Sequence, residues 1–355
     1  MFEVQIIDPS QDSRWDQFVE KHSFGWVVHL SAWKKVLEKC FKHMKGYYLV
    51  LCDATTLDIL AGLPLFEVRS WLTGNRLVSI PFATLCDPLI SSNEQMDMLF
   101  NSALKLSRDL GIPRIELRSF ASSPLINNNR MVRDDFYKHH FIPLDKEPEE
   151  LKKSFHRTNV RQRIRRAQNV RLGHRVADSE SDMMAFYELH TKTRKKIGLP
   201  PQPYTFFKEL WETFSPSKQM ALLLAERNNT TLAGLILFKF KDRVSAEFLA
   251  SDEQYLNVSP NHLLFWEAIK STYHDGYKVF DFGRTSPNNE SLMTFKNRWG
   301  TQVVDLPHYF YPENAFKPGE MLESSMSYRI INKMCHCSSE SVCKLLGRIC
   351  YSHMG

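Results

Sequence analysis

The sequence has neither a long apolar run nor a set of cysteines suited to disulfide bonds. No window reaches the roughly 18 uncharged apolar residues that a membrane span needs. The seven cysteines are odd in number and scattered, which argues against a disulfide framework. The first residues, Met1 to Pro9, include an acid at position 3 and do not resemble a signal or transit peptide. We therefore expect a cytoplasmic protein.

Four of the cysteines cluster near the C-terminus, at positions 335, 337, 343 and 350. Their C-x-C-x5-C-x6-C spacing is not that of a zinc finger or ribbon, so we expect no metal site. Ser339 to Tyr351 is predicted to form a short amphipathic helix that exposes Lys344 and Arg348. Packing on the core is its expected role. A basic amphipathic helix can also rest on an anionic surface, so peripheral contact with the inner membrane is the alternative.

Acidic residues are missing from one segment, and this absence explains the net charge. The chain of 355 residues has 46 Lys and Arg against 40 Asp and Glu, a formal charge of +6. Leu151 to Arg175 contains nine of the bases and no acid, which leaves 37 bases against 40 acids, or −3, elsewhere. This distribution favours a local anion site over a general nucleic-acid surface, and DNA is not an expected partner. The length predicts about two domains.

The basic segment is predicted to form a helix, because Ser154 can cap it and residues 155–168 contain no Gly or Pro. Arg157, Arg161 and Arg165 are spaced four apart and would form one stripe. Three guanidiniums in register repel one another unless solvent or an anion separates them, and arginine binds phosphate through two parallel hydrogen bonds. We interpret the stripe as a phosphate-binding surface; a solvated charged face is the alternative.

A seven-residue pattern occurs twice in the chain. Residues 60–66 read LAGLPLF and residues 232–238 read LAGLILF, so six of the seven are identical. Each copy follows an apolar run and a polar turn, and each precedes a helical pattern, a glycine and another apolar run. This matching order predicts two α/β halves that meet near Pro143 to Glu150. We therefore predict domains at 1–148 and 149–315, and a tail at 316–355.

Several motifs resemble those of a known family. The basic run at 155–167, GYKVFDFGR at 276–284 and FKNRWG at 295–300 resemble the FemAB-like branch of the GNAT superfamily, over roughly residues 20 to 312. HLSAW at 29–33 and PFA at 81–83 also resemble the FemAB-like proteins of bacterial exopolysaccharide and exosortase (PEP-CTERM) systems. The resemblance implies an α/β (α+β) fold of two tandem GNAT-like domains, each with a mixed, mostly antiparallel sheet flanked by helices.

The resemblance also implies a transferase that moves an aminoacyl or acyl group to an amine, as the Fem transferases do when they use aminoacyl-tRNA to build peptidoglycan bridges. We therefore expect a phosphate-bearing precursor of the cell envelope or an exopolysaccharide as acceptor, charged tRNA as donor, and no bound cofactor. The R/Q-x-x-G-x-G/A loop of acetyl-CoA enzymes is missing from both halves. An acyl-CoA-dependent N-acyltransferase and a non-catalytic phosphate-binding accessory protein of exopolysaccharide assembly are the alternatives.

The candidate catalytic residues come mainly from this resemblance. It implies that Phe295 positions the end of the donor and that the ammonium of Lys296 stabilises the oxyanion of the reaction. Core packing for the phenylalanine and a solvated position for the lysine are the alternatives. Glu247 occurs in a strand-like run and is the candidate general base, although strand alternation also allows it to face solvent.

Four further residues are candidates for substrate binding. Asp281 and Arg284 flank a glycine at the end of a predicted strand, where α/β folds place ligands. Asn261 lies at the start of the predicted helix that precedes this strand. Its role is that of a helix cap or of a ligand. In the Fem transferases a Lys after the W-x-x-V element helps to hold the diphosphate of the acceptor. That position is Leu37 here, and Lys35 is the nearest substitute.

Overall fold

The chain divides into two compact units. The structure is a computed structural model that describes residues 2–70, 74–313 and 326–353, without the side chains of residues 327, 328 and 352. The first unit contains the described residues of Met1–Tyr137, Asp305–Ser324 and Ser352–Gly355, and the second contains those of Lys138–Val304 and Ser325–Tyr351. Within these described ranges, no helix is long and apolar enough to cross a membrane.

A seven-stranded sheet forms the centre of the first unit. Neighbouring strands are antiparallel except for β4 and β5, which are parallel. The helices bury apolar side chains against the sheet, as α3 does with Met96, Leu99, Phe100 and Ala103 at helical spacing. In sheet order the strands are β1 (Phe2–Ile7), β2 (Met44–Asp53), β3 (Ile59–Val68), β4 (Arg76–Val78), β5 (Ile115–Arg118), β14 (His308–Tyr311) and β6 (Val132–Asp134). The α-helices are α1 (Ser13–Lys21), α2 (Ser31–Cys40) and α3 (Asn93–Leu110) among the described residues.

The second unit also has a seven-stranded sheet. Along the sheet from β7 to β8, neighbouring strands are antiparallel except for the parallel pair β11 and β12. In sheet order the strands are β13 (Gln302–Asp305), β7 (Lys138–Pro143), β12 (Val279–Thr285), β11 (Arg243–Ser251), β10 (Thr230–Phe240), β9 (Met220–Arg227) and β8 (Gly173–Val176). The described α-helices are α4 (Pro148–Ser154), α5 (Gln162–Asn169), α6 (Glu180–Lys196), α7 (Tyr204–Phe214), α8 (Pro260–His274), α9 (Glu290–Asn297), α10 (Met326–Cys337) and α11 (Glu340–Cys350).

The two sheets have the same topology, which confirms two tandem mixed α/β domains flanked by helices. In each, the first strand leads through two helices into an antiparallel hairpin, a third strand, a helix and a parallel strand. The repeated LAG pattern lies on β3 and β10. A Cβ atom on Gly62 would lie 2.5 Å from the ring of Trp15, and one on Gly234 would lie 2.6 Å from the ring of Phe186. The repeat therefore keeps a glycine where a helix packs an aromatic ring against the strand.

The local turns and helix ends follow the predictions. Asn228 and Asn229 connect β9 to β10 with φ angles of 52° and 61°, which suits a tight hairpin. The helices α3 and α8 end before Gly111 and Gly276, whose φ angles are 65° and 86°. These glycines adopt the left-handed conformation that stops a helix, as the sequence indicated.

The boundaries of the two units differ from the predicted boundaries. The strand β7 belongs to the second unit because it pairs along β12, and β14 belongs to the first unit because it pairs with β5 and β6. The predicted boundaries after residues 148 and 315 placed each of these strands in the other domain. Strand pairing between distant segments is invisible to local composition, so the sequence could not reveal this exchange. Residues 316–325 of the predicted tail lie outside the described residues.

Candidate active site

The candidate site lies in the second unit, where β11 and β12 stop pairing. These parallel strands pair only between Arg243–Ser245 and Val279–Asp281, and β12 then continues along β7. Each strand has a bulge just beyond this point: Glu247 in β11 and Phe282 in β12 are extra residues relative to the neighbouring strand. Bulges redirect side chains and carbonyl groups and are frequent beside active sites.

Lys296, on α9, directs its amine at the bulge of β12. The residue is only 6% exposed, and its Nζ donates to the carbonyl oxygens of Gly283 at 2.9 Å and Arg284 at 3.0 Å. Burial lowers the pKa of Lys296 to about 7, although the nearby carboxylates of Asp281 and Glu247 favour the charged form. Near neutral pH the amine therefore exchanges between its ammonium and neutral forms.

Gly283 allows this arrangement through its backbone conformation. Its φ angle is 71°, in the left-handed region that favours glycine. A Cβ atom at this position would meet nothing within 4 Å, so conformation rather than space requires the glycine. The helix α9 is held in place at its start by Asn289, whose Oδ1 accepts from the backbone N–H of Leu292 at 3.1 Å.

Asp281 is fully buried and ionised. Its Oδ2 lies 3.0 Å from Nε2 of His139 and accepts from Nη1 of Arg243 at 2.9 Å, and its Oδ1 accepts from the N–H of Gly283 at 2.6 Å. Burial alone would raise the pKa of Asp281, but His139, Arg243 and this N–H together lower it to about 2. The carboxylate therefore fixes the bulge and places a permanent negative charge near Lys296.

Glu247 projects from the bulge of β11 and is partly buried. Ser245 Oγ donates to its Oε1 at 2.7 Å. Desolvation raises the pKa of Glu247 in spite of this hydrogen bond and of the positive charge of Lys296. A carboxylate with a raised pKa is a better proton acceptor at neutral pH. Its role as general base stays a prediction.

Sequence reasoning missed three residues of this cluster, namely His139, His140 and Arg243. The two histidines are adjacent on β7 and both fully buried. Nδ1 of His140 lies 3.2 Å from Thr301 Oγ1, and its Nε2 lies 3.3 Å from Met293 Sδ. Burial and the neighbouring lysine charge lower the pKa of His140 to about 4, so this ring is neutral. Two consecutive histidines in an apolar strand were a signal of this cluster in the sequence, because successive residues of a strand face opposite sides of the sheet.

Phe295 packs with other rings rather than projecting freely. Its ring centroid lies 5.7 Å from those of His262 and Phe265 and 6.3 Å from that of Trp299. The side chain is only partly buried, so one part remains open while the rest anchors α9. Burial and the charge of Arg163 lower the pKa of His262 to about 4. The ring cluster is therefore uncharged.

Asn261 is the second residue of α8 and not its cap. Ser259 occupies the cap position, with a φ angle of 63° and no capping hydrogen bond from its side chain. Asn261 Nδ2 donates to Ser251 Oγ at 3.2 Å. The buried Oδ1 of Asn261 and Oγ of Ser259 accept no hydrogen bond from the described residues. Both unsatisfied atoms therefore lie at the first turn of α8.

The basic segment forms helical structure, but its start was predicted wrongly. Ser154 ends α4, and its Oγ donates to Leu151 O at 2.7 Å instead of capping the next helix. His156 is the cap, with Nδ1 3.2 Å from the N–H of Asn159. A π-helical turn at Arg157–Arg161 then leads into α5. The sequence could not show that Ser154 lies at the end of a separate short helix.

The three arginines of the predicted stripe differ in environment. Arg157 and Arg165 are exposed, and Arg161 is partly buried. The π-helical turn carries Arg157 and Arg161, and α5 carries Arg165. The buried Nε of Arg161 has no hydrogen-bond partner among the described residues. The role of the three arginines as a phosphate-binding stripe stays a prediction.

The basic segment packs beside the helices that carry the candidate site. The ring of Phe155 lies 5.2 Å from that of Trp299, and the N–H of His156 donates to Arg298 O at 2.8 Å. Arg166 Nη1 donates to Asn257 O at 3.3 Å, just before α8. These contacts bring the basic segment next to the end of α9 and the start of α8.

Two predicted binding residues have exposed side chains. The side chain of Arg284 is exposed, and its carbonyl oxygen is what contacts Lys296. Lys35 is exposed on α2 of the first unit. Leu37, at the position of the Fem lysine, is buried in the core of that unit. Roles for Arg284 and Lys35 in binding stay predictions.

The comparisons with known proteins agree with this architecture. Residues 154–297 match the acetyltransferase (GNAT) domain family, a span that includes Glu247, Asp281 and Lys296. No curated protein matches the sequence. Similar solved structures include FemX, which is 15% identical with a TM-score of 0.69, where the match covers 92% of this chain and 100% of that chain.

Two further solved structures share the fold. The tandem GNAT protein from the clavulanic acid biosynthesis pathway is 10% identical with a TM-score of 0.55, covering 89% of this chain and 99% of that chain. L-PGS from Bacillus licheniformis is 10% identical with a TM-score of 0.59, covering 93% and 99%. The matched domain therefore confirms the predicted GNAT resemblance over residues 154–297, and the solved structures show that the chain shares the fold of FemX.

Proposed function

Because the chain carries a GNAT acyltransferase domain on the fold of FemX, we propose that it transfers an aminoacyl or acyl group to an amino group of a cell-envelope precursor. The observation that carries this proposal is the buried amine of Lys296 beside Asp281 and Glu247, where β11 and β12 separate. Burying charged groups costs stability. Shifted pKa values in such a cluster are typical of catalytic sites.

In the proposed reaction the acceptor amine attacks the carbonyl carbon of the donor. A C–N bond forms, and the carbonyl oxygen becomes an oxyanion that the ammonium of Lys296 stabilises. The intermediate then collapses and breaks the ester bond of an aminoacyl-tRNA or the thioester bond of an acyl-CoA, and the leaving oxygen or sulfur takes up one proton to depart as the tRNA hydroxyl or the CoA thiol. Glu247 accepts the proton that the amine loses. The open part of the Phe295 ring positions the end of the donor.

The basic segment binds a phosphate of the substrate in this proposal. Arg157 and Arg165 are exposed, and Arg161 presents a buried donor without a partner among the described residues. Arginine forks match phosphate oxygens better than a point charge does. Asn261 supplies a further polar group at the start of α8, and Arg284 is proposed as an additional contact to the acceptor. Lys35 is proposed as a substrate-binding residue of the first unit.

We favour aminoacyl-tRNA as the donor. The connection between β11 and α8 is a 3₁₀ helix at Glu253–Val258 followed by Ser259. In acetyl-CoA enzymes a glycine-rich loop before such a helix leaves backbone N–H groups open to the pyrophosphate. Here Ser259, and not a glycine, precedes the helix. Acyl-CoA is the second candidate, because the matched family is an acetyltransferase domain.

We propose a phosphate-bearing envelope precursor as acceptor, either a peptide or a saccharide linked to a nucleotide or lipid. Its association with exopolysaccharide assembly rests on the sequence resemblance. A non-catalytic phosphate-binding role is less consistent with the buried Lys296 cluster, since binding phosphate at the basic segment does not require it. That role predicts binding without any product.

The proposal is tested by supplying the purified chain with either charged tRNA or acyl-CoA. The acceptors are UDP-linked and polyprenyl-phosphate-linked amino sugars and muropeptides, and mass spectrometry follows the added aminoacyl or acyl group. We expect a product with charged tRNA. A product with acyl-CoA alone would correct the donor, and binding without product under either donor would contradict the enzymatic role.

A matched pair of variants tests the phosphate role of the basic segment. We expect Arg161→Ala with Arg165→Ala to weaken binding of these phosphate-bearing acceptors by about 10- to 100-fold, from the loss of charged hydrogen bonds. Arg227→Ala with Lys218→Ala removes the same charge elsewhere in the second unit and should change binding little. Calorimetric titration measures the affinities, and equal effects of the two pairs would reject a specific phosphate site.

A further inference from the structure

The C-terminal helices α10 and α11, here called the C-terminal helix pair, leave apolar side chains in solvent. Met326, Ile330 and Met334 of α10 are 68%, 53% and 45% exposed, and Val342 and Leu345 of α11 are 43% and 53% exposed. Residues four apart on a helix share one face, so the three residues of α10 form a continuous stripe. The exposed apolar surface is therefore organised along the helices and not scattered.

The opposite side of the helix pair is fixed to the second unit. Cys335 and Cys343 are fully buried, and Cys343 Sγ contacts Cys335 O at 3.2 Å. A Cβ atom on Gly347 would lie 2.2 Å from Pro201 O, so α11 approaches that backbone closely. Lys344 Nζ also pairs with a glutamate of α6 at 2.7 Å. One side is thus buried in the protein while the apolar stripe faces outward.

Basic residues border the apolar stripe. Arg329 and Lys333 on α10 and Arg348 on α11 are exposed, and α10 contains no acidic residue. At about 100° per residue, Arg329 and Lys333 lie roughly 60° from Met326 and Ile330, on the same edge of the stripe. Both helices together carry one acid, Glu340, in the first turn of α11. The exposed surface is therefore apolar with a positive border.

We propose that the C-terminal helix pair docks the protein on an anionic membrane surface. The apolar stripe would enter the boundary between headgroups and acyl chains, and the bases would lie at the lipid phosphates. The 12 residues of α10 span roughly 18 Å, too short for a hydrocarbon core of about 30 Å, so this helix lies in the membrane plane. A second copy of the chain fits less well, because its positive border would face another positive border. This inference does not depend on the proposed reaction.

Vesicle binding by the full chain tests the proposal. The protein is mixed with phosphatidylglycerol vesicles or phosphatidylcholine vesicles at low salt, and flotation separates bound from free protein. We expect binding to the anionic vesicles only. Arg329→Ala with Lys333→Ala should lower that binding by about 25-fold, from roughly fivefold for each base, and Ile330→Glu with Leu345→Glu should abolish it.

Leu57→Glu is the matched control, since Leu57 is 55% exposed in the first unit and lies away from the helix pair in sequence. It should bind anionic vesicles as the unmodified protein does, and all variants should keep the same unfolding temperature. Absence of binding to anionic vesicles, or equal binding by the Ile330 and Leu345 variant, would overturn the proposal. A dimer that the same double variant dissociates, without vesicle binding, would also overturn it and assign the surface to a second copy.

Discussion

The two units keep the same cross-strand ion pair but surround it differently. In the first unit Glu116 of β5 lies 3.6 Å from the guanidinium of Arg76 on β4. In the second unit Asp281 of β12 lies 2.9 Å from that of Arg243 on β11. In both sheets the acid stands opposite the residue two positions after this arginine. The pair is therefore a shared feature of the duplicated fold and cannot by itself define a catalytic site.

The bulge of β12 makes the difference between the units. β5 pairs with β14 in an uninterrupted register, whereas β12 shifts by one residue against β7 at Phe282. The shift coincides with the left-handed conformation of Gly283, whose carbonyl oxygen then contacts Lys296. An ion pair common to both units thus joins a buried polar cluster only where the strand bulges. One local change of backbone converts a structural pair into a candidate site.

The largest expected difference concerns the two acids themselves. We expect Asp281→Ala to lower the free energy of unfolding by about 3–5 kcal/mol, because it removes the carboxylate that the buried ring of His139 and the partly buried guanidinium of Arg243 contact. Glu116→Ala should cost less, about 1–2 kcal/mol, since Glu116 is 20% exposed and water can partly replace its carboxylate beside Arg76 and Arg118, each 11% exposed. Urea denaturation measures both losses. Equal losses would show that the bulge does not set the two pairs apart.

The glycines of the repeat should behave alike in the two units. Gly62→Ala and Gly234→Ala would each place a Cβ atom within 2.6 Å of an aromatic ring, so each should cost about 1–3 kcal/mol of unfolding free energy through overpacking. Gly173→Ala in β8 is the control, since its Cβ atom would lie 3.5 Å from the nearest atom. Thermal unfolding compares the three variants, and a loss in only one unit would contradict an equivalent packing.

Substituting two glycines that have left-handed backbones should separate an effect on stability from an effect on activity. Gly283→Ala and Gly111→Ala place alanine at φ angles of 71° and 65°, in each case without a steric clash. Each should cost about 1 kcal/mol of unfolding free energy from backbone strain. Only Gly283→Ala should also lower the transfer rate, because it shifts the carbonyl groups that hold Lys296. Similar activity in both variants would remove the bulge from the mechanism.

Local patterns were enough to predict the elements of the fold but only part of the site. The LAG repeat, the hairpin at Asn228 and the stops at Gly111 and Gly276 depend on neighbours in sequence, and each was predicted. Lys296 was singled out because it falls in a motif of a known family, and Asp281 because it lies at the end of a predicted strand. Contacts between distant residues carry no such local signal, which is why the partners of Asp281 were missed.

The π-helical turn and the exchanged strands were missed for related reasons. A helix-period pattern does not distinguish α from π geometry over Arg157–Arg161, so the sequence predicted one continuous helix there. The strands β7 and β14 join sheets whose other strands are far away in the sequence. Strand pairing between distant segments leaves no direct record in a single sequence.

The most direct test is the turnover of Lys296→Ala with a saturating donor and acceptor, measured from pH 6 to pH 9 beside the unmodified enzyme. We expect kcat to fall by about 10²- to 10³-fold, in line with loss of one oxyanion donor, with little change in KM. The unmodified enzyme should lose turnover as pH rises through about 7, because the ammonium form of Lys296 is then lost. A variant with unchanged kcat at every pH would contradict the central role of this buried amine.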